Sequence, residues 1–71
     1  MNTKQIKQTN DIISLVAMVI TEACHNNPNT KDWEDYVNRW CDTYNDVYDL
    51  PIDKEVREHI IDVLHASLRQ L

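Results

Sequence analysis

Glycine is absent from all 71 residues, and with it go the Gly-rich loops that cradle phosphates and the Gly-dependent turns of tight β-hairpins. P-loop and dinucleotide-binding readings fall at once, and an all-helical chain loses least by the lack. Phenylalanine is absent too, so any aromatic packing rests on Trp and Tyr. Cations are sparse: seven Lys and Arg stand against twelve Asp and Glu, for a formal net charge of −5. Nucleic-acid binding needs clustered cations to neutralise phosphates. Here they are scattered, with Lys4 and Lys7 the one basic pair outside the acidic half, so no direct nucleic-acid contact is expected.

Long apolar runs are missing as well. The nine residues from Ile12 to Ile20 fall far short of the roughly 20 that span a bilayer. Behind Lys4 and Lys7 the run imitates a signal peptide, but Asp11 abuts it, and Thr21-Glu22 does not suit the lipoprotein cleavage site that Ala23-Cys24 imitates. The expectation is a cytoplasmic protein with no membrane contact. Cys24 and Cys41 have sixteen residues between them and no CxxC, which points to free thiols rather than a zinc knuckle, a redox motif or a disulfide.

What the chain does have is concentrated. Its five aromatic residues, Trp33, Tyr36, Trp40, Tyr44 and Tyr48, recur at steps of three, four, four and four, the spacing of one helical face. At about 100° per residue they join Val37, Cys41 and Val47 in an uncharged arc of roughly 140°. Asp35, Asp42, Asp46 and Asp49 project roughly opposite, in a ridge about 60° wide. Residues 32 to 49 carry six carboxylates against Arg39, which equals the net charge of the whole chain. Like charges three and four apart mildly oppose the helix, so packing of the aromatic arc must hold it.

Proline-bearing segments divide the chain at His25 to Thr30 and at Asp49 to Asp53. In the first, Asn26 or Asn27 can close a helix in the left-handed conformation, Pro28 forbids its continuation and Thr30 can cap the next. In the second, Pro51 can open a helix, or Asp53 can cap one. The sequence thus predicts an all-α fold, a small antiparallel three-helix bundle forming one domain over residues 1–71, with helices at about 3–24, 31–48 and 53–70. The first carries apolar residues around about 200° of its circumference. Ile52 and Leu71 extend the apolar face of the third. Together the three arcs exceed what one small bundle can hide, so a homodimer through helix one or the aromatic face is expected.

Chemistry-bearing patterns are missing. Ser14 and Ser67 have no base at suggestive spacing. His59 and His65 project about 120° apart, and His25 beside Cys24 lies on another helix from Cys41, so no metal site, cofactor or catalytic residue is expected. The functional expectation is a non-enzymatic protein-interaction module. It would be a small accessory or inhibitor protein of the kind phages and mobile elements encode, presenting Asp35, Asp42, Asp46 and Asp49 to a protein partner with a basic surface. Tyr36, Trp40, Tyr44 and Tyr48 are candidate interface aromatics, with Tyr36 and Tyr48 at the exposed flanks. One alternative is a self-associating structural or regulatory subunit with the aromatic stripe as its dimer seam. Another is a helix-turn-helix-like DNA-binding regulator, against which Glu55, Glu58 and Asp62 offset the cations of helix three.

Overall fold

Asn2 begins the first helix. Its side chain accepts from the Gln5 backbone N–H at 2.9 Å while Gln5 Oε1 accepts from the Asn2 N–H at 3.1 Å, a reciprocal cap that satisfies two of the donors a helix start leaves open. In the computed structural model, which describes residues 2–26 and 30–70 (the side chains of Thr30 and Lys31 excepted), three helices follow: α1 (Thr3–His25), α2 (Thr30–Val47) and α3 (Lys54–Leu68). The described residues contain no strand.

The boundaries refine the sequence expectation. α1 closes on Asn26, whose N–H donates to the Glu22 carbonyl at 2.8 Å with φ at −127°. The expected left-handed stop is therefore not at Asn26. The roles assigned to Asn27, Pro28, the Thr30 side chain and Leu71 lie outside the described residues. α2 ends at Val47, so Tyr48 and Asp49 belong to the connection rather than the helix. At α3 the cap is Asp53, whose carboxylate accepts from the Val56 N–H at 2.9 Å and sits favourably at the positive end of the helix dipole.

Cross-helix contacts set the directions. Lys4 meets Asp49 and His65 meets Glu34, so α2 runs antiparallel to both α1 and α3, an up-down-up arrangement. The long dimension of 35 Å is the length of α1 at about 1.5 Å per residue. α3 packs closely on both neighbours, while direct backbone approach between α1 and α2 is sparse.

The core follows from that asymmetry. Leu15 and Val19 of α1, Val37, Cys41 and Tyr44 of α2, and Ile60 and Leu64 of α3 are buried together, with Ile12, Val16, Ile20, Trp33, Trp40 and Ile61 packed around them. Ile52, on the connection, is 2% exposed and fills the end of this core. Asn45 holds it there: its Oδ1 accepts from the Ile52 N–H at 2.6 Å and its Nδ2 donates to the Ile52 carbonyl at 3.1 Å. One side chain thus satisfies both backbone groups of a half-buried connection, as a strand partner would.

Candidate functional site

α2 has one apolar arc but two neighbours, and they cover it unequally. On the flank toward α3, Val37 and Cys41 are fully buried. On the flank toward α1, Tyr36 and Val47 remain exposed, Val47 by 65%, and Trp40 is half-buried. The division runs lengthwise along the aromatic stripe. Trp33 lies half-buried on the core, Tyr44 is buried at the dividing line, and Tyr48, past the helix end, is exposed.

Where α1 and α2 stand apart, an open groove of about 800 Å³ runs between them. α1 contributes Asp11, Ser14, Leu15 and Met18; α2 contributes Tyr36, Arg39, Trp40, Thr43, Tyr44 and Val47, and Tyr48 closes one end. Three rings form a ladder along the wall: Trp40 stacks on Tyr44 at 5.2 Å between centroids, and Tyr44 lies 4.4 Å from Tyr48 in a tilted pair. Such pairs add to the burial of the rings themselves and hold them at fixed spacing. Trp33 and Tyr36 make a separate edge-on pair at 5.8 Å.

The Tyr48 end is charged. Lys7 Nζ lies 2.6 Å from Asp11 Oδ2, 3.9 Å from the Tyr48 ring centroid and 5.8 Å from that of Tyr44. The hydrogen bond that Lys7 donates to the Asp11 carboxylate raises the Lys7 pKa above its ordinary value, against a smaller opposing effect of desolvation. Burial raises the Tyr44 hydroxyl, and the nearby Asp11 carboxylate adds to the rise. Lys7 is therefore a cation engaged by a carboxylate and an aromatic face together.

The four ridge aspartates have separate fates. Asp42 Oδ1 lies 2.9 Å from Arg57 Nη2 on α3, and Arg57 Nη1 reaches Asn38 Oδ1 at 3.5 Å. Asp49 leaves the projected ridge because the helix ends two residues before it, and its carboxylate sits 3.0 Å from Lys4 Nζ on α1. Asp35 and Asp46 are exposed and make no ion pair among the described residues. On the helical projection, Asp46 and Asp35 lie just beyond Arg39, roughly 20–40° outside the groove wall. Facing them across the groove, Glu22 occupies the same side of α1 as Asp11 and Met18. With Lys7 engaged by Asp11, the groove's surroundings are net acidic.

Other polar side chains stitch the helices. His65 Nε2 stands 2.5 Å from Glu34 Oε1, joining the start of α2 to the end of α3; His25 and His59 are exposed. Both cysteines are free, Cys24 exposed and Cys41 buried. Among the described residues no three His, Cys, Asp or Glu side chains gather as a metal-holding group, and no helix is long and apolar enough to cross a membrane.

Sequence reasoning placed Tyr36, Trp40, Tyr44 and Tyr48 on a common face but missed the opposite wall, Asp11, Ser14, Leu15 and Met18. A signal for it exists. Lys4, Lys7, Asp11 and Glu22, all the formally charged residues of α1, project into one sector about 60° wide, next to Leu15 and Met18.

No family model matches the chain, and neither a curated protein nor a solved structure is significantly similar to it. The groove and the charges around it are therefore the basis for a functional reading.

Proposed function

We propose that this protein is a non-enzymatic interaction module, of accessory or inhibitor type, whose groove between α1 and α2 receives a basic amphipathic helix from a protein partner. The observation that carries the reading is the uncovered flank of the α2 arc: Tyr36, Trp40 and Val47 face a groove that the chain's own side chains leave open. The stretch from Tyr36 to Val47 extends about 17 Å along α2, room for some three turns of a docked helix. Helix-in-groove recognition seats apolar anchors at steps of three and four in such a channel. Trp and Tyr dominate the binding energy of such interfaces. Asp35, Asp46 and Glu22 on the flanks favour lysines and arginines on the occupant's outer edges, which speeds encounter and makes affinity fall with salt.

The test uses Trp fluorescence of the intact chain during titration with a Leu/Lys amphipathic helical peptide and with its Leu/Glu counterpart. The expected result is saturable binding of the basic peptide alone, weakened about tenfold or more by Val47→Glu and severalfold by Asp35→Asn with Asp46→Asn. Equal binding of both peptides, or binding that Val47→Glu leaves intact, refutes the proposal. Val47 is exposed, so its replacement leaves the fold in place to be tested.

A further inference from the structure

The back of α1 differs from its groove side in a way that folding of the single chain does not require. Counting angles from Leu15, the face between roughly 120° and 240° holds no charged side chain over the length of the helix. Along it run Ile6, Asn10, Ile13, Ala17, Ile20 and Cys24, at alternating steps of four and three. That is the heptad spacing by which two helices keep a continuous common seam. Ile6 and Ile13 are 48% and 60% exposed. Asn10, Ala17 and Cys24 are exposed as well, while Ile20 is half-buried at the edge of the core.

The pattern is also symmetric. Positions 6 and 24, 10 and 20, and 13 and 17 are equidistant from Leu15. If two α1 helices are laid antiparallel about a twofold axis at that level, Ile6 meets the partner's Cys24, Ile20 meets the partner's Asn10, and Ile13 meets the partner's Ala17. Every isoleucine then packs on a smaller side chain, which lets the helices approach evenly along the seam. A parallel pairing would instead alternate layers of two isoleucines with layers of two small residues. An isologous interface must be self-complementary in this sense, and no foreign partner would require it.

We infer that the back of α1 is an antiparallel homodimer seam, separate from the groove and independent of what the groove binds. Charge agrees with the choice. Two copies, each at −5, repel, and a seam on the uncharged face keeps the acidic side of α2 away from the contact. The strip is about 27 Å long and roughly 10 Å wide, on the order of 300 Å² per copy against about 800 Å² in a standard stable interface. The dimer is therefore reversible, with dissociation in the micromolar range or weaker.

Sedimentation equilibrium from micromolar to millimolar concentration tests it. The expected result is a monomer–dimer equilibrium that Ile13→Glu weakens at least tenfold, with helical circular dichroism retained, and that Val47→Glu in the groove leaves unchanged. A strict monomer at a millimolar, or a dimer broken by Val47→Glu and not by Ile13→Glu, overturns the inference. Orientation is read by mild oxidation of the Ile6→Cys variant followed by peptide mapping. A disulfide between position 6 of one copy and Cys24 of the other supports the antiparallel seam. Linkage of Cys24 to Cys24, or of position 6 to position 6, or no linkage at all, overturns it.

Discussion

The two seams of α2 make opposite use of one continuous apolar arc. Toward α3, Val37 and Cys41 are buried against Ile60 and Leu64, Asn45 clamps Ile52, and Arg57 and His65 reach back to Asp42 and Glu34. Toward α1, the joining contacts gather at one end, where Lys4 meets Asp49 and Gln8 Nε2 donates to the Leu50 carbonyl at 2.7 Å. Beyond them the wall is open. A chain this small has little apolar area from which to gain stability, so exposure of Tyr36 and Val47 is a choice of where to leave surface. Stability is concentrated in one seam and the uncovered surface in the other.

The largest expected effect comes from setting one residue of each seam against the other. Ile52→Ala removes most of a fully buried side chain from the closed end of the core, and such truncations cost about 2–5 kcal/mol. Val47→Ala, at 65% exposure, should stay within about 0.5 kcal/mol. Urea denaturation of both variants checks the contrast. Comparable losses would mean that the groove flank contributes to the core after all.

A middle-sized effect is expected in alkali. Burial raises the Cys41 thiol above its ordinary value near 9.0, with a smaller lowering from Arg57. The folded state therefore holds its proton while the unfolded chain releases it. The corresponding stability is full below about pH 9 and declines as pH rises through the folded-state value. Tyr44 and Lys7 are shifted in the same sense, from 10.0 and 10.5, so their declines begin later. Thermal melting should fall from about pH 9 upward, and Cys41→Ala should move the onset to higher pH. At neutral pH a thiol reagent should modify Cys24 at once and Cys41 only on unfolding. Rapid modification of both would show that the α2–α3 seam opens as readily as the groove.

The helices are legible in the sequence because periodicity and capping are local. Asp53 and Asn2 are side chains that bond a backbone three residues on, and the aromatic steps of three and four need no tertiary knowledge. The groove is less legible, since it depends on which flank of a wide arc a neighbour covers. That is settled by contacts between distant residues: Asn45 with Ile52, and α3 inserted against both other helices. Asp49 shows the same limit in miniature. Helical projection carried it into the acidic ridge, but the helix ends at Val47 and its partner Lys4 lies 45 positions earlier. Asp42 stays on the ridge, and only the placement of α3 brings Arg57 to it.

The smallest effect should separate these two aspartates. Asp49 and Lys4 are 84% and 64% exposed, whereas Arg57 is only 23% exposed where it meets Asp42. Exposed pairs contribute between nothing and about 1 kcal/mol, because solvent screens the attraction and two long side chains lose freedom. Lys4→Ala should therefore change stability by no more than a few tenths of a kcal/mol, and added salt should erase the difference. Arg57→Ala should cost more, about 1 kcal/mol, because it also removes the stem of a largely covered side chain and the contact with Asn38. Part of that loss should survive in high salt. Urea titrations of both variants at low and high ionic strength decide it. If the Arg57→Ala loss vanishes in salt as fully as that of Lys4→Ala, its pair with Asp42 is merely a surface contact, and the closed seam owes its stability to Ile52, Cys41 and their apolar neighbours alone.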